Sequence, residues 1–185
     1  DGRELYRLTE IIHTDPASLS KGASAEAVQS MFQYAMTVIK EKRTQPGEDL
    51  ASQLLHAELD GRRLTDEEFL LFFMLLVDAG GDTTRNLVGT GTYELMHSEG
   101  AWEQLAEDPA GRLPLAREEL LRLISPVIYM RRTLTQDYVL NGQAMQKGDK
   151  VVMYYGAANR DSRMFTDPHQ LDLTRQQARH LAFGG

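Results

Sequence analysis

Apolar residues recur every three or four positions through most of the first 125 residues, a spacing that predicts amphipathic helices. The pattern predicts a short helix over residues 3–12 and a longer one over residues 25–39, closed by Gln45-Pro46-Gly47. A third helix is predicted over residues 48–59, with Asp60-Gly61 as its turn. The first part of the chain is therefore expected to be helical.

A fourth helix carries the strongest local signal. Thr65 and Glu68 have the spacing of a capping box, and helical periodicity continues from there to about His97. Residues 69–77 are apolar around the whole helix circumference, as expected for a helix that crosses a core. The segment Ala79-Gly80-Gly81-Asp82-Thr83-Thr84 then interrupts the apolar pattern. Hydroxyl groups of its threonines can bond to preceding carbonyls, so we expect the helical hydrogen bonds to loosen here and to leave space for a water.

The period changes after Pro126. Before it, a brief helix around Leu105 and another over residues 115–124 are predicted. After it come short apolar runs, two of which flank Asn141-Gly142, a strong hairpin signal. We therefore predict a mainly α fold with a small β region in the last third. The predicted organisation is a single partial domain over residues 1–185, helical over 1–125 and with the β region over 126–185.

Composition narrows the function. The formal net charge is −7, which disfavours a broad electrostatic attraction to nucleic acid or an anionic membrane. The chain has no cysteine, so it can form neither a disulfide nor a thiolate metal site. The longest apolar run, residues 69–77, falls far short of the roughly 20 residues of a membrane span. A soluble, cytoplasmic protein is expected, and the histidine spacings predict no metal site.

Several residues permit both a structural and a chemical interpretation. Gly80 and Gly81 cost roughly 1 kcal/mol each within a helix, so they serve either a packing notch or the close approach of a flat ligand. Glu119 and Arg122 have the spacing of an ordinary exposed helix pair. Arg131-Arg132 could simply be solvated edge residues, and at most one of the two should face a given ligand.

The order of these motifs is more specific than any one of them. From about Asp49 onward, the segment 79–84, Glu119-x-x-Arg122, Arg131-Arg132, Asn159-Arg160-Asp161 and the final residues 180–185 follow in sequence. Together they resemble the cytochrome P450 family, with its multihelical fold. The motif style is similar to soluble bacterial members, in particular the branch that hydroxylates methyl-branched lipids and sterol side chains. The resemblance implies haem b, dioxygen, an apolar substrate and a ferredoxin-type electron donor.

The resemblance also assigns roles to residues. Asp82 and Thr83 become the catalytic acid and alcohol. The residues implied to contact haem are Ala79, Gly80, Thr83, Arg132, Phe183 and Gly184, with Arg132 on a propionate. Glu119 and Arg122 become a buried structural clasp, with Gln170 or His169 as candidate third partner. Val127 and Ile128 would lie near the substrate pocket, and His180 would be a hydrogen-bonding residue of the loop.

The cysteine that binds haem iron in this family would lie beyond Gly185. The sequence is therefore interpreted as a fragment of a haem-thiolate monooxygenase, inactive in isolation. One alternative is a non-catalytic helical binding module that kept the scaffold without haem. Another is a haem protein with histidine ligation, which the histidine spacings do not favour.

Overall fold

The computed structural model describes residues 2–176 and 179–184, apart from the side chain of Pro16. The chain forms two compact units, residues 1–82 and 83–185. Most of its regular structure is helical, which confirms the predicted mainly α class. The helices are α1 (Gly2–His13), α2 (Ala23–Thr44), α3 (Leu50–His56), α4 (Asp66–His97), α5 (Ala101–Glu107), α6 (Pro109–Ile124) and α7 (Tyr155–Ala158), with a 3-10 turn at Pro16–Ser18. The single partial domain over residues 1–185 stays a prediction.

Two apolar clusters hold the first unit together. Leu8 of α1 packs against Ala27 and Met31 of α2, and all three are buried. Further along α2, Ile39 packs against Leu55 of α3 and Phe69 of α4. A buried apolar side chain of this size contributes about 1.5–3 kcal/mol, so these clusters explain why the helices pack in this order.

The third helix is shorter than its apolar pattern predicts. α3 ends at His56, and the prediction that it continues to Leu59 is wrong. Glu58–Leu59 instead forms strand β1, which pairs with β2 (Arg62–Arg63) across Asp60 and Gly61, both with positive φ. The turn therefore joins two strands, and residues 1–125 are not purely helical as predicted.

The predicted capping box starts α4. The Thr65 N–H donates to Glu68 Oε2 at 2.9 Å, and the Glu68 N–H donates to Thr65 Oγ1 at 3.2 Å. These reciprocal bonds satisfy two amide groups that a helix start leaves without partners. Every residue from Asp66 to His97 is helical, which confirms the predicted continuation of this helix to about His97. The loosening expected at residues 79–84 stays a prediction. Two glycines lower helix propensity, but flanking turns are long enough to carry the helix through them.

The second unit packs around small and aliphatic residues. Leu95 of α4, Ala101 of α5 and Ala116 of α6 are buried with Leu173 from the chain that follows. Gly91 is also buried, and a Cβ there would lie 3.4 Å from Leu120 Cδ1. Gly91 thus lies where α4 packs directly against Leu120 of α6.

The predicted β region is present in the last third. Strand β3 (Tyr129–Thr133) pairs antiparallel with β6 (Lys150–Tyr154), and β4 (Tyr138–Leu140) pairs with β5 (Gln143–Met145). Asn141 and Gly142 connect β4 to β5 with φ of 48° and 82°, the positive values that a tight hairpin turn needs. This confirms the hairpin prediction. Within the described residues, no helix is long and apolar enough to cross a membrane.

Candidate functional site

An open cavity of about 910 Å³ lies in the second unit beside the β3–β6 sheet. It is lined by Arg132, Met153, Tyr154, Tyr155, Ala158, Leu181, Phe183 and Gly184. Three of the residues that the sequence assigned to cofactor binding, Arg132, Phe183 and Gly184, therefore share one cavity. Its lining combines one cation with aromatic and aliphatic groups, a surface suited to a large apolar ligand that carries an anionic group.

Strand pairing places the cation of this cavity. Arg132 lies opposite Val151 in the β3–β6 pair, and Arg131 lies opposite Val152. Neighbouring side chains on a strand point to opposite faces, and of these two arginines only Arg132 lines the cavity. Its Nη1 donates to the Arg131 carbonyl at 3.1 Å, and it makes no ion pair with any described residue. Its charge is thus available to a ligand.

The opposite wall is a turn near the end of the chain. The Gly184 N–H donates to the Leu181 carbonyl at 3.0 Å, which closes a turn over residues 181–184, hereafter the 181–184 turn. Ala182 is buried within it, whereas Phe183 is 78% exposed. Gly184 has φ of +83°, and a Cβ there would lie 3.0 Å from the Tyr155 hydroxyl. Only glycine fits both conditions without strain. Gly185 lies outside the described residues.

A buried ion pair lies in the same unit. Glu119 and Arg122 are 2% and 0% exposed, and two bonds of 2.8 Å join the Arg122 Nε and Nη2 to the two carboxylate oxygens. Arg122 also donates to the carbonyls of Asn159 (2.7 Å), Pro168 (2.8 Å) and Gln170 (3.2 Å). All five N–H groups of a guanidinium are thereby used. The exposed-pair alternative for these two residues does not describe this structure.

The third side chain of this cluster is Arg175, which no sequence pattern had indicated. Its Nε donates to Glu119 Oε2 at 3.0 Å, and the Asp172 N–H donates to Glu119 Oε1 at 3.1 Å. Gln170 contributes a carbonyl acceptor and not the side-chain donor expected of it, and no bond links His169 to Glu119 or Arg122. Arg175 is therefore the third side chain, a few positions later in the chain than the expected Gln170 or His169. The available signal was an arginine a few positions after the Pro168 segment, at Arg175.

Asn159 is the second residue whose role the sequence did not predict. It is 0% exposed, and its Nδ2 donates to Ser125 Oγ at 2.8 Å. Its Oδ1 accepts the Leu181 N–H at 2.6 Å. The Asn159-Arg160-Asp161 motif contributed to the family resemblance, but neither periodicity nor spacing indicated a bond across 22 residues to the 181–184 turn.

His180 occupies the position expected of a loop residue. Its side chain is 6% exposed, its Nε2 lies 3.1 Å from Glu118 Oε2, and its Nδ1 lies 3.3 Å from the Ala182 nitrogen. The Arg117 guanidinium, assisted by His180, holds the pKa of Glu118 below its ordinary value. Among the described residues, no group of three His, Asp or Glu side chains could hold a metal ion.

The remaining candidates lie on α4 and after α6. Asp82 and Thr83 are half-buried, whereas Ala79 and Gly80 are exposed. A Cβ added to Gly80 or Gly81 would meet no described heavy atom within 4 Å, so the helix surface is open at this point. Val127 is half-buried, and Ile128 is 65% exposed. Neither residue lines the cavity beside Arg132.

Part of the chain matches the model of a known protein family. The family model named Cytochrome P450 matches residues 112–181. These residues include α6 from its fourth position onward, the β region, α7 and the start of the 181–184 turn.

Curated relatives match a larger part of the chain. The chain is 45% identical over 152 residues to the methyl-branched lipid omega-hydroxylase of Mycobacterium tuberculosis, covering 82% of this chain and 36% of that protein. It is 36% identical over 176 residues to the steroid C26-monooxygenase of Mycobacterium bovis, covering 95% and 38%.

Solved structures of cytochromes P450 also match this chain. The cytochrome P450 PksS of Bacillus subtilis matches with a TM-score of 0.90 and 33% identity, over 99% of this chain and 47% of that one. CYP109E1 from Bacillus megaterium in complex with corticosterone matches with a TM-score of 0.86 and 35% identity, over 99% and 50%. The chain thus spans half or less of the length of these relatives.

Proposed function

Since the chain belongs to the cytochrome P450 family, we propose that the full-length protein is a haem-thiolate monooxygenase that hydroxylates an apolar substrate. The observation that carries this proposal is the cavity shared by Arg132, Phe183 and Gly184. Family membership supports oxygen-incorporating chemistry and haem b as the cofactor.

Three features of the cavity lining suit haem. The Arg132 guanidinium can form a charge-assisted bond to a propionate. Phe183 and Tyr154 are exposed aromatic side chains that a flat macrocycle would cover. Gly184 leaves backbone accessible where a side chain would collide with Tyr155. Bound haem supplies the reduction of dioxygen and the transfer of one oxygen atom to the substrate.

Other residues would act around this group. Ala79 and Gly80 are proposed to let the macrocycle approach the backbone of α4, where the helix surface is open. We propose that the iron-binding thiolate comes from chain that follows Gly185, because residues 1–185 contain no cysteine. Glu119 and Arg122 are proposed to be structural, since neither side chain has capacity left to bind a ligand.

Asp82 and Thr83 are proposed to deliver protons. Reduction of dioxygen consumes protons, and an apolar site needs a path that supplies them. The Thr83 hydroxyl can hold an ordered water and relay protons with it, accepting one proton as it gives up another. The Asp82 carboxylate can take up a proton from solvent and supply it to this relay. Both side chains are half-buried, which suits groups that connect an apolar site to water.

The substrate class is proposed to be a methyl-branched lipid or a sterol side chain. Two mycobacterial relatives are a methyl-branched lipid omega-hydroxylase and a steroid C26-monooxygenase. Val127 and Ile128, the apolar residues before β3, are proposed to contact that substrate. A ferredoxin-type electron donor and a cytoplasmic location complete the proposal and follow from the family resemblance alone.

The decisive experiment is the carbon monoxide difference spectrum of the reduced full-length protein. The proposal predicts the band characteristic of thiolate-ligated haem, and it predicts no such band for the 185-residue chain alone. A full-length protein that folds but binds no haem would overturn the proposal and favour the non-catalytic helical module. A haem spectrum of histidine-ligated type would also overturn it.

Arg132 and Arg131 provide a matched pair for testing the cavity assignment. Arg132→Gln should release haem to apomyoglobin about 10- to 100-fold faster than wild type, because a charge-assisted bond contributes roughly 1.5–3 kcal/mol. Arg131→Gln removes the same charge from the opposite face of the strand and should leave the rate within about twofold of wild type. Equal rates for the two variants would contradict the assignment of Arg132 to haem.

A further inference from the structure

We propose that Asn159 is a positioning residue, whose side-chain amide fixes the 181–184 turn against the proposed haem cavity. This inference rests on the proposed function for its ligand, but the anchoring itself is a property of the chain. Asn159 is 0% exposed, so its amide cannot exchange its bonds with solvent. A buried polar side chain with both ends paired holds its partners at fixed distances.

The hydrogen bonds determine which way the amide points. Ser125 Oγ donates its proton to the Arg122 carbonyl at 3.0 Å, so towards Asn159 it can only accept. Asn159 Nδ2 must therefore face Ser125, and Oδ1 must face the Leu181 N–H, which can only donate. The amide has one allowed orientation, and in that orientation its oxygen is reserved for the 181–184 turn.

Asn159 is itself held by rigid neighbours. Its carbonyl accepts from Arg122 Nη1 at 2.7 Å, and its N–H donates to the Tyr155 carbonyl at 2.9 Å. These backbone and side-chain bonds tie Asn159 to α6, α7 and the turn. The buried Glu119–Arg122 pair and the first residue of the 181–184 turn are therefore connected through a single asparagine.

The other contacts of the turn are closer to solvent. His180 bonds to Glu118, whose side chain is 42% exposed, and water can compete for that bond. Tyr155 contacts Gly184 on the cavity side. Among the described residues, only the Leu181 bond joins the turn to a fully buried side chain. Leu181 lines the cavity together with Phe183 and Gly184, which follow it in the turn. A shift at Leu181 would move both.

The test uses the full-length protein with Asn159→Ala and, as a matched control, Ser125→Ala. Asn159→Ala removes the acceptor of the Leu181 N–H, whereas Ser125→Ala removes only the opposite partner of the same amide. Hydrogen–deuterium exchange at Leu181 should accelerate roughly tenfold or more in Asn159→Ala, because this N–H then lacks its hydrogen-bond partner. It should keep the wild-type rate in Ser125→Ala. Unchanged exchange in Asn159→Ala, or equal acceleration in both variants, overturns the proposal.

The haem readout separates this inference from the proposed function. In Asn159→Ala the ratio of thiolate-ligated to non-thiolate carbon monoxide complex should fall roughly tenfold, while Ser125→Ala keeps the wild-type ratio. A wild-type protein without the thiolate band would refute the proposed function, yet exchange at Leu181 would still decide the anchoring. Should Asn159→Ala fail to fold, Asn159→Asp keeps an oxygen for Leu181. That variant must then retain wild-type exchange there, and its loss overturns the proposal.

Discussion

Two arginines of the second unit occupy opposite environments. Arg122 is fully buried and makes five hydrogen bonds, two of them to Glu119. Arg132 lines an open cavity, and the bond it makes goes to the carbonyl of its neighbour in the chain. The first side chain is completely occupied by the fold, whereas the second retains the capacity to bind an anion. Residue type alone would not separate these two roles.

The buried cluster also shows why the distance of an ion pair does not measure its importance. Arg62 lies 2.7 Å from Glu68 on the surface of the first unit, and Arg122 lies 2.8 Å from Glu119 in the interior of the second. Water solvates the surface pair when it separates, but it cannot reach the buried one. Loss of one partner should therefore have very different consequences at the two places.

The largest effect is expected from Glu119→Gln. This substitution leaves Arg122 and Arg175 without a counter-charge in the interior, and breaking such a cluster costs about 3–5 kcal/mol. Glu118→Gln is the matched control on the same helix, where the 42% exposed carboxylate should cost about 0–1 kcal/mol. Urea unfolding of the full-length protein, followed by circular dichroism, measures both. A difference below about 1 kcal/mol between the variants would remove the contrast between buried and exposed pairs.

An intermediate effect is expected at the cavity wall. Gly184→Ala and Gly142→Ala both place a side chain at nearly equal positive φ, +83° and +82°, which costs about 1–2 kcal/mol. At Gly184 the new Cβ also lies 3.0 Å from the Tyr155 hydroxyl, whereas at Gly142 no described atom lies within 4 Å. The collision should add about 1–3 kcal/mol. Thermal unfolding compares the two, and equal losses would show that the turn moves away from Tyr155 without cost.

Local signals in the sequence predicted the local features well. The Thr65–Glu68 capping box and the Asn141-Gly142 hairpin are both present, because each is determined by a few adjacent residues. The end of α3 was missed, although Leu50, Leu54 and Leu55 fit a helix. That helix ends earlier because Glu58–Leu59 pairs with Arg62–Arg63 as two strands. The spacing of apolar residues along the chain does not reveal such pairing.

The candidate site was harder to predict because its bonds are long-range. Glu119 and Arg122 were found by their spacing, but Arg175 is 56 positions from Glu119 and no periodicity connects them. Asn159 belonged to a motif that marked the family without any physical role attached. Its role became visible only with its burial and with both partners of its amide. Family resemblance thus located the region, and tertiary packing decided which residues in it bond to each other.

The smallest effect is expected at the exposed pair, and it depends on pH. Hydrogen bonds from Arg62 and then from Thr65 lower the pKa of Glu68 from 4.5 to about 2. Above pH 4.5 the folded and unfolded states are both ionised, and the stabilisation is complete. As the pH falls from 4.5 towards 2, the unfolded state takes up the proton first, so this stabilisation is lost. Urea unfolding between pH 7 and 3 should therefore show a steeper loss for wild type than for Glu68→Gln.

Glu67→Gln is the control for that experiment, because Glu67 precedes Glu68 in the same first turn and makes no bond to Thr65 or Arg62. Both substitutions remove one negative charge near the start of α4, so their effect on the helix dipole is similar. Glu67→Gln should keep the wild-type slope below pH 4.5, and Glu68→Gln should flatten it. Identical slopes would mean that the surface pair behaves as two independently solvated charges. The exposed Arg62–Glu68 pair would then contribute nothing to stability, although its distance nearly equals that of the buried Glu119–Arg122 pair.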